Sequence, residues 1–268
     1  MSILDAIILG LVEGITEFLP VSSTGHLILA RDLLHLTGDP VDRALVIIQG
    51  AAILAVCWEF RLKLLNTALT LHRDPVSRRF VVNLLIAFLP LAILGLLFEH
   101  QIKAVLFKPV PVAIALVVGG LIILWAERRK HAEHVQSVDD LGPLDAAKLG
   151  LFQALALIPG TSRSASTIIG GLLGGLSRRT AAEFSFFVAI PVLLAATAYD
   201  IWKARAELAN TDLTPLLISC AVSFLSALAA TKFLLRYVSK HSFAAFAWYR
   251  ILFGGVILVT AWSGVVRW

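Results

Sequence analysis

Two glutamates stand four residues apart in an otherwise apolar segment near the start of the chain. On a helix, Glu13 and Glu17 would lie on one face, about one turn from each other. Their carboxylates would repel, and burying either one in an apolar interior is costly unless something compensates its charge. A divalent cation, a shared proton or the guanidinium of Arg163 would each do so. The pair is therefore both a candidate metal site and a candidate acid–base site.

Hydroxyl-bearing residues cluster after a proline at two places. The first cluster contains Ser22, Ser23, Thr24, Gly25 and His26, and the second contains Thr161, Ser162, Arg163 and Ser164. Free N–H groups at a helix start favour an anion, and an arginine can donate to two phosphate oxygens. The clusters therefore predict a phosphate-binding site. Ser23 and His26 are alternative nucleophiles, His26 could instead transfer a proton, and the other residues are assigned to phosphate binding.

Two further ionisable residues, Glu183 and Arg250, lie in apolar surroundings. We expect them to pair with each other or with backbone carbonyls, because an isolated charge at membrane depth is costly. A role for either in the site stays open.

The two hydroxyl clusters belong to a larger internal repeat. Residues 9–13 and 20–26 have counterparts about 139 residues later, at 149–153 and 159–164. The correspondence continues in the same order along the chain. It pairs 45–55 with 184–194, 88–90 with 224–226, and 118–121 with 253–256. A duplicated apolar unit that is interrupted by glycine, proline and charge predicts a membrane protein with a buried polar site.

The composition is that of a membrane protein. Hydrophobic residues make up 58% of the chain and charged residues only 15%, with a mean hydropathy of +0.85. A soluble domain has about a quarter of its residues charged. Six stretches are long and apolar enough to cross a bilayer. They are Ala44 to Phe60, Phe80 to Phe98, Val110 to Ala126, Phe184 to Trp202, Leu216 to Leu235 and Phe243 to Val266.

Two other apolar segments, at about 3–36 and 146–177, are broken by a proline and are too short on either side of it to cross. They predict re-entrant helix hairpins. One hairpin and three spans in each half give an odd number of crossings, which inverts the second half relative to the first. We therefore predict an all-α integral membrane protein with six transmembrane helices and two hairpins that meet near the midplane. Its single domain, residues 1–268, would comprise inverted repeats at about 1–126 and 146–268, joined by a cytoplasmic linker at about 127–145.

The loop charges predict the orientation. One set of loops carries thirteen Lys and Arg residues, including Lys130, and the other carries seven, including Arg267. The positive-inside rule makes the first set cytoplasmic and leaves both termini outside. A net charge of +5 could suggest nucleic acid, but basic residues in short loops between spans indicate topology instead, and no nucleic-acid partner is expected.

Residues 13–26 and 159–164 strongly resemble the motifs of the bacterial undecaprenyl-diphosphate phosphatase family, also called the bacitracin-resistance (BacA/UppP) family, and the likeness continues at 182–186 and 249–250. The resemblance implies an inner-membrane enzyme that hydrolyses undecaprenyl diphosphate and recycles the carrier lipid for peptidoglycan synthesis. It also implies a divalent cation, Mg²⁺ or Ca²⁺, and a periplasmic opening of the active site. The implied site residues are Glu13 and Glu17 as the acidic motif and metal ligands, Ser23 as nucleophile with His26 as competitor, and Arg163 as the phosphate-binding arginine.

A polyprenyl-phosphate transporter is the alternative, since broken helices and inverted repeats are also typical of transporters. The combination of Ser, Glu and Arg favours an enzyme, because transport alone needs no nucleophile. A structural scaffold would leave the carboxylates at membrane depth unexplained. The expected partners are a polyprenyl diphosphate and the bilayer; the sequence does not determine the number of subunits and leaves a homodimer open.

Overall fold

The computed structural model describes residues 1–129, 133–208 and 212–263. These residues form eleven α-helices and two short 3₁₀ helices, with one isolated β-bridge between Val135 and Leu176. The helices are α1 Ile3–Thr16, α2 Ser23–Leu33, α3 Asp39–Glu59, α4 Arg61–Thr70, α5 Pro75–Leu106, α6 Pro109–Arg128, α7 Pro143–Ala154, α8 Arg163–Leu173, α9 Arg178–Leu208, α10 Thr214–Val238 and α11 Ala244–Ser263. The all-α prediction is confirmed.

Within the described ranges, six helices are long and apolar enough to cross a membrane: α3, α5, α6, α9, α10 and α11. They confirm the six predicted spans. Several extend beyond the predicted apolar run, because a helix continues until a capping residue ends it. For example, α5 begins at Pro75, where Asp74 accepts hydrogen bonds from the N–H groups of Val76 and Ser77 at 3.1 and 3.0 Å. The Ser77 hydroxyl also donates to Asp74 and lowers the pKa of its carboxyl. The predicted end of the last span at Val266, and the loop charges Lys130 and Arg267, lie outside the described residues.

Each segment that we predicted to be broken consists of two short helices joined by a tight turn. Residues 17–22, the first tip, separate α1 from α2, and residues 155–162, the second tip, separate α7 from α8. Ser22 and Ser162, the last residues of the two tips, both have a φ of 73°, in a left-handed region that residues other than glycine rarely adopt. The same backbone turn therefore precedes Ser23 and Arg163. A re-entrant path through the bilayer stays a prediction for both pairs.

The two broken pairs pack across the molecule. Helix α1 lies against α10, and α7 lies against α5, so each pair contacts the second long span of the other predicted repeat. Glycines allow this approach. A Cβ atom on Gly10 would lie 2.5 Å from the Ser219 carbonyl oxygen, and one on Gly150 would lie 2.8 Å from that of Ala87. Each broken pair therefore packs closely against the other predicted repeat, and this packing brings the two tips near each other.

The segment between α6 and α7 is held against the helices. Lys63 Nζ pairs with Asp139 at 2.6 Å, and Asn83 donates to the Leu141 carbonyl at 2.8 Å. Helix α7 begins at Pro143, slightly before the predicted end of the linker at 145, because proline favours the first turn of a helix. The division into inverted repeats and the cytoplasmic side of this linker stay predictions.

An aromatic cluster fills the interior where α9 begins. The ring centroid of Phe187 lies 4.7 Å from that of Phe60 and 5.0 Å from that of Phe80, and Phe186 stacks edge-on against Phe18 at 5.5 Å. Such aromatic contacts contribute about 0.5–1.5 kcal/mol each beyond their buried area. The cluster gives the first tip, through Phe18, a rigid support.

Candidate active site

The first tip contacts the first residues of α8, which directly follow the second tip. Ser164 Oγ donates to the carbonyl oxygen of Leu19 at 2.9 Å, and Arg163 Nη2 lies 3.2 Å from Glu17 Oε1. Both charged side chains are almost fully buried, with 9% of Arg163 and 7% of Glu17 exposed. A buried ion pair is screened little by solvent, so removing either partner leaves a costly uncompensated charge.

Glu17 bridges the two residues that could do chemistry. Its Oε2 accepts a hydrogen bond of 2.5 Å from Ser23 Oγ, while its Oε1 contacts Arg163. A carboxylate that accepts from a serine hydroxyl is placed to take the proton when the oxygen attacks. Ser23 is also the first residue of α2, so its oxygen stands at a helix N-terminus, where the helix dipole favours an anion.

Arg163 is oriented by a second contact. Its Nη1 donates to the Ser185 carbonyl of α9 at 2.8 Å, and its Nε is buried without a hydrogen-bond partner in the part of the chain that the structure describes. The Ser22 hydroxyl oxygen, on the other tip, is also buried without a partner. Buried polar atoms usually have partners, so these atoms indicate a place for a polar ligand.

A cavity of about 160 Å³ lies between the tips. It is lined by Glu17, Ser22, Ser23, Thr24, Gln49, Leu91, Ala156, Gly160, Ser162, Arg163, Val192 and Leu193. The carboxylate, the hydroxyls and the guanidinium thus face one space. Its polar wall comes mostly from the tips and from the first residues of α2 and α8, and α5 and α9 contribute apolar side chains.

Three of the predicted phosphate-binding residues do not line this cavity. Ser164 is buried and joins the tips through its bond to Leu19. Gly25 faces α6, since a Cβ atom there would lie 3.4 Å from Leu116 Cδ1. Thr161 lines an apolar groove beside α6. The assigned roles of these residues and of the cavity-lining ones stay predictions.

Glu13 lies one turn before Glu17 and is completely buried. Its carboxylate oxygens make no close hydrogen bond to the described residues, but the Glu17 carboxyl lies near enough to share a proton with it, and the charge of Arg163 also acts on it. Carboxylate oxygens suit Mg²⁺ and Ca²⁺, and two unsatisfied ones fit a hard cation. The described residues contain no group of three or more His, Cys, Asp or Glu that could hold a metal. Glu13 does not line the cavity, and both oxygens of Glu17 already contact Ser23 and Arg163, so a divalent cation at this pair stays a prediction.

His26 is turned away from the cavity. Its Nδ1 lies 2.7 Å from the Ser22 carbonyl oxygen, so this nitrogen must be the donor, and its Nε2 can then accept from the Tyr249 hydroxyl at 2.6 Å. The imidazole stacks on the ring of Phe253 at 4.1 Å. Both nitrogens are engaged, and the ring supports the backbone turn at Ser22.

Glu183 and Arg250, whose role the sequence left open, do not pair with each other. Glu183 pairs with Arg179 at 2.9 Å, and Arg250 donates only to backbone carbonyls among its described contacts. Of the two alternatives that we considered, pairing with backbone carbonyls is therefore correct for Arg250.

Our sequence reasoning missed one polar cavity residue, Gln49 of α3. Its amide interrupts the apolar run of residues 45–55, and the corresponding position in the second repeat, 188, is a valine. A single amide in one copy of a repeated span was the signal that could have identified it.

Comparisons with known proteins show the family to which the chain belongs. Residues 6–256 match the sequence profile of the family described as bacitracin resistance protein BacA. The chain is 59% identical over 268 residues to undecaprenyl-diphosphatase 2 of Rhodospirillum rubrum. The aligned region covers 99% of this chain and 97% of the relative. It is 57% identical over 266 residues to the undecaprenyl-diphosphatase of Nitrosospira multiformis, with the same coverage. It is 54% identical over 264 residues to that of Pseudomonas fluorescens, covering 98% and 96%. The chain therefore belongs to the BacA family.

Proposed function

We propose that this multi-pass membrane protein hydrolyses undecaprenyl diphosphate to undecaprenyl phosphate and inorganic phosphate, and so recycles the carrier lipid for peptidoglycan synthesis. The observation that carries the proposal is the buried contact of Glu17 with both Ser23 and Arg163 at one cavity. These residues supply a base, a nucleophile and a phosphate-binding cation. The relatives named undecaprenyl-diphosphatase support the choice of substrate.

In the proposed reaction, Arg163 and the N-terminus of α2 bind the terminal phosphate of the substrate. Ser23 Oγ attacks the terminal phosphorus as its proton passes to Glu17 Oε2. The new O–P bond forms as the anhydride P–O bond breaks, and undecaprenyl monophosphate leaves. Water then hydrolyses the phosphoserine and restores the Ser23 hydroxyl. Positive groups matter greatly here, because charge spreads over the phosphoryl oxygens in the transition state.

Glu13 and Glu17 are the proposed ligands of a divalent cation, Mg²⁺ or Ca²⁺. Such a cation would neutralise charge on the diphosphate oxygens. The partnerless oxygens of Glu13 support this assignment. A proton shared between the two carboxylates is the competing explanation.

The expected location is the bacterial inner membrane, with both termini and the active-site opening on the periplasmic side. The asymmetry of basic residues between the loops supports this orientation. The prenyl chain would lie along apolar helix surfaces beside the tips, such as the groove of about 660 Å³ that contains Thr161, and would stay in lipid.

Release of phosphate from a polyprenyl diphosphate by the purified protein in detergent tests the proposal. We expect multiple turnovers per protein molecule, measured as free inorganic phosphate. Binding of the lipid without release would contradict hydrolysis and would favour the transporter alternative.

Removal of divalent cations is expected to lower kcat/KM by more than about tenfold, because one buried carboxylate pair loses its compensating charge and a phosphate-neutralising group is lost. Titration of Mg²⁺ or Ca²⁺ into EDTA-treated protein should restore turnover. The Glu13→Gln variant should need a higher cation concentration for the same restoration. Full activity of wild-type protein in EDTA would instead favour the shared proton.

Replacement of Tyr249 by phenylalanine tests the role of His26. The change removes one hydroxyl that donates to the imidazole, and a neutral hydrogen bond contributes about 0.5–1.5 kcal/mol, so we expect kcat to fall by no more than about tenfold. The measurement is the steady-state rate of phosphate release. A loss as large as that of Ser23→Ala would show that His26 and Tyr249 take part in the proton transfer or the attack.

A further inference from the structure

Arg250, in the middle of α11, is one of the largest fully buried side chains of the described structure, with 0% of its surface exposed. Burying a guanidinium at membrane depth is costly, so we expect the Arg250 side chain to have compensating hydrogen-bond partners. Among the described residues, its hydrogen bonds all go to backbone carbonyl oxygens. These belong to Leu116 at 3.3 Å, Pro20 at 3.3 Å, Ala115 at 3.2 Å and Gly160 at 3.0 Å.

Two of these carbonyls belong to the two tips. Pro20 lies in the first tip and Gly160 in the second. Gly160 follows Pro159, the sequence counterpart of Pro20, but it occupies the same place as Pro20 in the backbone turn. Pro20 and Gly160 each lie two residues before a serine whose backbone is in the left-handed region. The next residue is a site residue, Ser23 in the first case and Arg163 in the second. A single planar guanidinium therefore joins the two backbone turns that present the nucleophile and the phosphate-binding arginine.

A glycine makes room for this guanidinium. A Cβ atom on Gly119 of α6 would overlap Arg250 Nη2 and would lie 2.9 Å from its Cζ. The equivalent of Arg250 in the first repeat is Ala115, whose carbonyl oxygen is one of the four acceptors. The buried guanidinium is thus present in the second predicted repeat only, and it lies where the two repeats meet.

We propose that Arg250 is a positioning residue that fixes the separation of the two tips, and with it the distance between Ser23 and Arg163. The fork of N–H donors reaches both tips and α6 at once, which the single ammonium group of a lysine cannot do. Misplacement of a catalytic group by about 1 Å can lower a rate by about 10²-fold. The inference concerns the same site as the proposed function and its kinetic part rests on that function.

The kinetic test compares Arg250→Met, Arg250→Lys and Gly119→Ala with the wild-type protein. We expect kcat to fall at least about thirtyfold in Arg250→Met and Gly119→Ala while KM changes less than about threefold, because positioning acts on the chemical step. Arg250→Lys should recover only part of the rate. The control is Gly255→Ala in α11, where a Cβ atom would meet nothing within 4 Å, and it should keep wild-type kinetics.

A distance measurement tests the same inference without turnover. Spin labels on cysteines at Leu33 and Leu155, which are 61% and 48% exposed, report on α2 and on the second tip in a Cys57→Ala/Cys220→Ala background. The wild-type and Gly255→Ala proteins should each give one narrow distance distribution, and Arg250→Met and Gly119→Ala a broadened or shifted one. If Arg250→Met does not fold, the distance distributions of Arg250→Lys and Gly119→Ala decide whether Arg250 fixes the separation of the tips.

Unchanged kcat in these variants, or a raised KM with unchanged kcat, would overturn the proposal. An unchanged distance distribution would also overturn it, since a merely structural role lowers the unfolding temperature without moving the tips. Failure of the wild-type protein to release phosphate would instead refute the proposed function, and the distance measurement would still decide whether Arg250 holds the tips.

Discussion

Replacement of Ser23 by alanine is expected to lower kcat by at least about 10³-fold, because it removes the oxygen that would form the covalent bond to phosphorus. The side chain donates to Glu17 at 2.5 Å and is only 7% exposed, so its oxygen is held beside the proposed base at the cavity. The rate of phosphate release from a polyprenyl diphosphate measures the loss. Rapid quenching of the wild-type reaction and sequencing of the labelled peptide should locate the phosphoryl group on Ser23.

Ser239→Ala is a matched control for this change. Its hydroxyl is exposed and, among the described contacts, donates to the Leu235 carbonyl of α10 at 2.8 Å, so turnover should stay at the wild-type level. Full turnover by Ser23→Ala would exclude the serine route and leave His26 or direct attack by water. A phosphohistidine peptide would identify the former.

Replacement of Arg163 by alanine is expected to lower kcat/KM by about 10³-fold or more, since phosphoryl transfer depends on positive groups that stabilise the transition state. The change also leaves the buried Glu17 carboxylate without its cation, and breaking a buried pair in this way costs about 3–5 kcal/mol. We therefore expect a lower unfolding temperature together with the loss of turnover. Arg163→Lys should recover little, because one ammonium cannot contact Glu17, Ser185 and a phosphate in the same fork geometry.

Arg179→Ala provides the comparison on the surface. Arg179 is 61% exposed and pairs with Glu183 within one helix, and exposed pairs contribute at most about 1 kcal/mol. Its activity and unfolding temperature should stay close to those of the wild type. Activity of Arg163→Ala above about a tenth of the wild-type value would contradict the assigned role of Arg163.

Some features of the tips followed from local sequence. Pro20 and the Pro159–Gly160 pair stop the preceding helices because proline and glycine disfavour a helix interior, and the breaks at 17–22 and 155–162 lie where we predicted them. The spacing of Glu13 and Glu17 placed both on one helix face for the same local reason. Gln49 was missed although its amide interrupts an apolar run, because we did not compare that position with its counterpart, Val188, and the run alone does not show which face points toward a cavity.

Apolar run length by itself determined the six spans, because a bilayer core of about 30 Å demands about twenty apolar residues in a helix. Tertiary structure alone decided which groups meet. Glu17 and Arg163 are 146 residues apart, and His26 and Tyr249 are 223 apart. The first contact joins the two broken pairs and the second joins α2 to α11, so both depend on how distant helices pack, including the close approaches of α1 to α10 and of α7 to α5 at Gly10 and Gly150. Helical periodicity is a property of neighbouring residues, whereas the direction in which a side chain meets a distant one is set by the packing of whole helices.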